Sequence, residues 1–208
     1  MERKDNKEND ILKAAEILFA EKGFKGATTT MIAAEAGVTH AMLHYYFRTK
    51  EHIFLKVLDL YMDKIWVDLK AIMVPDIYDV ELIRKVTEII FDFFNEHRNH
   101  VNLLLEVAKD RPDILDTYMK DSKKYLGTSL GAHSERIVKA VKEGRIREIT
   151  FRELLVDIIV LCAAPFFFDP VLFNLIGMDG AQREAFLESR KKEAVEMITS
   201  RLRIVDTK

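Results

Sequence analysis

The sequence predicts an all-α chain of about nine helices, in which a short three-helix unit at the amino terminus precedes a longer helical body. Three observations carry that expectation. Apolar residues recur at helical spacing along nearly the whole chain, no stretch alternates with a period of two for long enough to build a sheet, and most glycines and prolines fall between the periodic segments. With 208 residues, 49% hydrophobic and 32% charged, the chain has apolar side chains enough for one or two cores and too many for wholesale disorder.

Ile11, Ala14, Ala15, Leu18 and Phe19 follow the i, i+3, i+4, i+7, i+8 pattern of an amphipathic helix at about 7–22 that stops at Gly23. After a break at residues 23–26, Thr28 or Thr29 can cap a short helix that carries Ile32, Ala33 and Ala36 inward and ends at Gly37. Thr39 caps another short helix, ending near Phe47. A long stripe of Phe54, Val57, Leu58, Tyr61, Ile65, Leu69 and Ile72 then opens at Lys50 and is terminated by Pro75. Leu82, Ile83, Val86, Ile89, Ile90, Phe93 and Phe94 form the fifth helix, and residues 101–108 a short one closed before Pro112. Residues 113–143 carry Leu115, Tyr118, Leu126, Leu130, His133, Ile137 and Val141 on one face. Residues 149–168 are apolar almost all round, the mark of a helix buried between others or at a subunit interface. Residues 168–180, with Pro170, Gly177 and Gly180, are expected to bend, and residues 181–203 to form the last amphipathic helix.

Composition narrows the setting. The formal net charge is −2, and the first fifty residues hold 8 basic against 7 acidic side chains, so charge alone announces no polyanionic partner. The single Cys162 cannot form an intrachain disulfide, and MERKDNKEND lacks the apolar stretch of a secretory leader. The uncharged apolar run at residues 158–168 is far shorter than the ~20 residues a membrane helix needs. A cytoplasmic protein without a membrane span is expected.

The informative segment is residues 28–47, two short helices separated by Ala36-Gly37-Val38-Thr39. Gly37 permits the left-handed backbone of a tight turn and Thr39 caps the second helix, which makes a helix-turn-helix whose second helix can enter a DNA major groove. That helix, His40 to Phe47, buries Leu43 and Phe47 and leaves His40, Ala41, His44 and Tyr45 on the other side. Small Ala41 allows close approach, and imidazole and phenol groups can bond phosphates or base edges.

Competing chemistry is weaker. Gly127-Thr128-Ser129-Leu130-Gly131 fits the G-x-S-x-G pattern of a hydrolase elbow, but it falls in a helical stretch and His133 is the only later histidine, so no enzyme is expected. His97 and His100, with Glu96 or Glu106, have spacing for a metal, but no further ligand has diagnostic spacing, so neither metal nor cofactor is expected. His133 reads as a core or a ligand-orienting histidine, and Cys162 as an inert or a reactive thiol. Met62, Trp66, Phe91, Phe94, Tyr118 and Phe166 read as core or as the lining of a cavity in the body.

Gly23-Phe24, Thr28, Ile32-Ala33, Ala36-Gly37-Val38-Thr39, Leu43, Tyr46-Phe47 and Lys50-Glu51 together resemble, over residues 10–57, the TetR family of bacterial transcription regulators. The resemblance implies a homodimeric repressor with a DNA-binding domain at residues 1–47 and a ligand-binding and dimerisation domain at residues 48–208. The last two helices would pair between subunits, and the partners would be a double-stranded operator and a small-molecule effector. It implies phosphate contacts from Thr28, Thr29, His44, Tyr45, Tyr46 and Lys50, with Thr30, His40, Ala41 and Met42 nearest the bases. His44 stands where the family usually has Tyr, and His40 where Lys, Arg or Gln is common. Met62, Trp66, Phe91, Phe94, Tyr118, His133, Cys162 and Phe166 are the candidates for the effector pocket. A helical ligand-binding or enzymatic module without DNA-binding activity is the alternative.

Overall fold

The structure, a computed structural model, describes residues 2–72 and 78–204, apart from the side chains at some positions, among them Trp66, His100 and residues 121–130. Among the described residues the chain forms ten α-helices and no strand. They are α1 (Glu2–Gly26), α2 (Thr29–Glu35), α3 (His40–Phe47), α4 (Lys50–Ile72), α5 (Val80–Glu96), α6 (Arg98–Asp110), α7 (Pro112–Lys142), α8 (Phe151–Phe167), α9 (Asp169–Ile176) and α10 (Gly180–Leu202). Helix α9 stands where the sequence predicts a bend. Pro170 lies in its first turn, where a missing N–H costs nothing, and Gly177 ends it at φ 66°.

Two compact units form, Met1–Lys64 with Asn99–Ser122, and Ile65–Arg98 with Lys123–Lys208. In the first, α1 buries Ile11, Ala15, Leu18 and Phe19, α2 Ile32 and Ala33, α3 Leu43 and Phe47, and α4 Ile53, Phe54 and Val57. Phe19, Phe24 and Phe54 lie with ring centres 5.4–5.9 Å apart. Each large side chain removed from water here contributes about 1.5–3 kcal/mol, which lets such short helices stand without high intrinsic propensity. The buried Tyr61 hydroxyl donates to Glu16.

In the second unit α5, α8 and α10 pack against one another. Their shared core holds Ile83, Ile90, Phe91, Ile158, Cys162, Phe166, Leu187, Ala194, Ile198 and Leu202. The buried Thr87 and Thr199 hydroxyls donate to Ile83 O and Val195 O at 2.8 Å, so neither is left unsatisfied. Capping boxes start α8, through Thr150 and Glu153, and α10, through Asp179 and Gln182. Helix α8 buries one side and exposes Val156, Ile159 and Val160 on the other. No helix among the described residues is long and apolar enough to cross a membrane.

Candidate nucleic-acid interface

Helices α2 and α3 are joined by a four-residue turn whose geometry follows from its sequence. Thr28 accepts a hydrogen bond from Met31 N at 3.2 Å and Thr39 one from Met42 N at 3.2 Å, so a hydroxyl caps each helix. Gly37 takes φ 61°, and Val38 N returns to Ala33 O at 3.0 Å, which closes α2 and redirects the chain. Leu43 and Phe47, at 0% and 1% exposure, anchor α3 from below.

The outward side of α3 is largely the one its spacing predicts. His40, Ala41, Met42, His44 and Tyr45 are exposed and Tyr46 is half-buried, with Thr28 and Thr30 exposed and Thr29 half-buried beside them. Tyr45 and Tyr46 meet edge to face at 5.4 Å. Thr29 Oγ1 and His40 Nε2 lie 3.1 Å apart, which ties α2 to α3, and His44 Nδ1 is 2.8 Å from Arg48 O. Arg48 is the one non-glycine among the described residues at positive φ, 37°, and its N–H caps α3 on His44 O. Its side chain is exposed next to this face. The sequence locates the end of α3 near Phe47 but carries no sign of this kinked cap.

Lys50 is placed differently from the expected phosphate contact. Its ammonium donates to Phe24 O at 2.7 Å and Ala27 O at 3.0 Å and sits 4.4 Å from the centre of the Phe24 ring. Burial lowers its pKa, against the opposing pull of Glu51 and Glu106. Lys50 thus ties the end of α1, beyond its break at Gly23, and the residue that follows it to the start of α4.

A second set of charges holds the same segment. Glu106, on α6, accepts from Phe24 N and Lys25 N at 3.0 Å each, and Lys25 pairs with Asp110 at 2.8 Å. Arg111 pairs with Glu51 at 3.0 Å and with Asp113 at 2.8 Å. The hydrogen bond between Lys25 and Asp110 raises the lysine pKa and lowers that of the carboxyl, and Arg111 likewise holds Asp113 down. Glu51 is held below the usual carboxylate range by its own backbone N–H and by Arg111. Spacing alone offers Glu106 only as an oxygen for a metal near His97 and His100. It is committed to α1 instead, and the His100 side chain lies outside the described residues.

The effector-pocket candidates separate. Phe91 and Phe166 are buried with ring centres 5.4 Å apart, and the buried Cys162 thiol donates to Thr87 O at 3.6 Å. Burial, reinforced by Asp92, pushes that thiol up to about 12, so it keeps its proton within the core. Tyr78, buried at 1% exposure, bonds His133 Nδ1, and His133 stacks on Phe151 with ring centres 5.7 Å apart. Phe94, Met62 and Tyr118 are half-buried, and the Trp66 side chain lies outside the described residues. Residues 127–131 lie inside the continuous helix α7, so the strand-to-helix turn of a hydrolase elbow is missing there.

Comparison with known proteins agrees with this architecture. Residues 11–57 match the sequence profile described as bacterial regulatory proteins, tetR family. The HTH-type transcriptional repressor NicS of Pseudomonas putida is 31% identical over 101 residues, 48% of this chain and 47% of that protein. The chain spans about half the length of the curated relatives it matches, or less. Among solved structures, the transcriptional regulator FadR of Bacillus subtilis, in complex with stearoyl-CoA, superposes with a TM-score of 0.68 at 18% identity, over 93% of this chain and 98% of that one. AibR, in complex with isovaleryl coenzyme A and operator DNA, gives 0.66 at 19% identity, over 92% and 97%. At such identities the likeness is one of fold, and it extends well beyond the segment matched in sequence. Residues 11–57 are thus similar to the TetR family of bacterial regulatory proteins, and over nearly its whole length the chain shares the fold of these two regulators.

Proposed function

We propose that the chain is a ligand-responsive transcriptional repressor that binds a palindromic operator as a homodimer in the cytoplasm. The observation that carries this reading is the outward face of α3, capped at both ends, anchored by Leu43 and Phe47, and presenting His40, Ala41, Met42, His44 and Tyr45. In this reading Thr30, His40, Ala41 and Met42 face the bases, while Thr28, Thr29, His44, Tyr45 and Tyr46 face phosphates. Lys50 acts by fixing the turn before α2. The DNA-binding domain is residues 1–47, and residues 48–208 bind the effector and the second subunit.

One head offers few base contacts, so two heads about 34–36 Å apart read two half-sites of one operator. The exposed apolar residues of α8 and α10, Val156, Ile159, Val160 and Met197, supply a surface for pairing two copies. An effector bound in the body favours a conformer whose heads no longer match that spacing, and a coupling of about 1–3 kcal/mol lowers operator affinity about 5–150-fold. The coenzyme A thioesters bound by FadR and AibR support an acyl thioester as the first effector to try.

Selection from random double-stranded DNA by the purified protein, followed by titration of the winning sequence at several salt concentrations, tests the proposal. A palindrome bound with steeply salt-dependent affinity is expected, weakened for every sequence by Tyr46→Ala with the dimer intact. Failure of folded, dimeric protein to enrich any sequence, with or without acyl thioesters, would overturn it.

A further inference from the structure

We propose that His40 and His44 form a two-imidazole site for a borderline transition-metal ion of the Zn²⁺ or Ni²⁺ class, and that an ion seated there competes with DNA for α3. The site itself stands on the side chains alone, and the competition rests on the reading of α3 as the DNA-binding helix. An i, i+4 spacing puts both rings on one helix face, and both residues are exposed. Their ring centres lie 4.4 Å apart with planes at 77°. With metal–nitrogen bonds of about 2.0–2.1 Å, two imidazoles that share one ion at a right angle bring their ring centres to about 4.5 Å. The ring-centre separation of the pair therefore matches that of two imidazoles on one ion at a right angle, and a tetrahedral ion would need the rings to open by less than about 1 Å.

Each ring also has the outer partner that a metal-binding imidazole needs. The Arg48 carbonyl 2.8 Å from His44 Nδ1 can only accept, so Nδ1 carries the hydrogen and the neutral ring offers the Nε2 lone pair. The unusual positive φ of Arg48, 37°, belongs to the cap that holds this carbonyl there. Thr29 Oγ1, 3.1 Å from His40 Nε2, can accept that N–H and leave the Nδ1 lone pair of His40 to a metal. Hydrogen-bonded rings of this kind are the usual second layer of histidine metal sites. Among the described residues no cluster of three His, Cys, Asp or Glu side chains forms, so water completes the coordination. Imidazole nitrogens select Zn²⁺, Ni²⁺ or Cu²⁺ over Mg²⁺ and Ca²⁺, which favour oxygen.

Titration of tag-free full-length protein with Zn²⁺ near neutral pH, by calorimetry and by ¹H–¹⁵N spectra of the histidine rings, decides the question. One ion per chain is expected, with the largest shifts on His40 and His44 and none with Mg²⁺. His44→Gln and His40→Gln should each weaken it at least about tenfold, since each removes a ligand, and Thr29→Val should weaken it to a smaller degree. All three positions lie at the surface of the helix-turn-helix, and circular dichroism checks that each variant folds. No saturable binding below about 100 µM Zn²⁺, or binding that survives both His substitutions, would overturn the site. In the second arm Zn²⁺ should lower the affinity of the wild-type protein for its selected DNA and leave that of His44→Gln unmoved by metal. Zn²⁺ bound with DNA affinity unchanged would overturn the competition alone. Absence of any DNA binding would overturn the repressor reading and the competition with it, while the metal titration still decides the site.

Discussion

Gly23 and Glu106 make a joint that two residues far apart in sequence build together. Gly23 turns the chain at φ 70°, and the next two backbone N–H groups point at one carboxylate 81 and 82 residues away. The backbone angle at position 23 disfavours any side chain, and a methyl there would also push the Glu106 carboxylate off the two N–H groups. Hydrogen bonds to a charged acceptor are stronger than those between neutral groups, and the Lys25 and Arg111 ion pairs around them, being exposed, add little. Glu106→Ala is therefore expected to cost about 1–3 kcal/mol, because it leaves two backbone donors without their acceptor. Urea unfolding at unchanged slope reads this directly, and Glu106→Gln, which keeps one acceptor oxygen, should lose less. A loss below about 0.5 kcal/mol for the alanine variant would show that water replaces the carboxylate.

At the scale of elements, the contact between α7 and the start of α8 carries a pH dependence. His133 stacks on Phe151, the first residue of α8, and shares a hydrogen bond with the Tyr78 hydroxyl just before α5. Burial, and then the positive charge of Arg136, lower the His133 pKa, so the folded state prefers the neutral ring. The unfolded chain then binds the proton more readily. Stability is flat above the ordinary histidine value of about 6.5, begins to fall as pH drops through it, and stops falling below the folded-state pKa. His133→Gln, which can still accept from Tyr78, should flatten the melting temperature between about pH 7.5 and 5.5 relative to wild type. Equal slopes in the two proteins would assign the loss to other groups. Depressed carboxyls such as Asp110 and Asp113 act lower, where stability present above about pH 4 is lost as pH falls further.

Most elements are legible in the sequence because each buries one stripe at a period near 3.6, and because Thr28, Thr39 and Gly37 have the chemistry of ends. Helix α9 is not, for a physical reason. A proline that breaks a helix interior is harmless in a first turn, and five of the eight residues from Asp169 to Ile176 are apolar, a run too short and too uniform to show which side packs inward. The outward face of α3 is legible because turn, caps and anchors are all local. The inward turn of Lys50, the Glu106 bonds and the Arg48 carbonyl are not, since the first two join distant segments and the third depends on a backbone angle with no residue signature.

For the whole molecule, the proposed dimer turns on the side of α8 that faces away from its own core. Val156 and Val160 are 58% and 55% exposed, and Met197 on α10 is 54% exposed. With Leu161 and Ile198 they line an apolar groove flanked by the Asp157–Arg201 ion pair. A contiguous apolar surface of this kind is costly in water, and in the proposed dimer a two-fold pairing of α8 and α10 would cover it with the same residues from a second copy. Val160→Asp places a charge in the centre of that contact without touching the core beneath, so the variant should remain helical and become monomeric by light scattering. Its affinity for a two-half-site operator should fall by about 10²–10⁴, the gain that linking two heads confers, while affinity for a single half-site stays within a few-fold. A variant that stays dimeric would move the interface elsewhere. One that becomes monomeric yet binds the full operator as tightly as wild type would show that a single head suffices, and the operator would then need no two-fold symmetry.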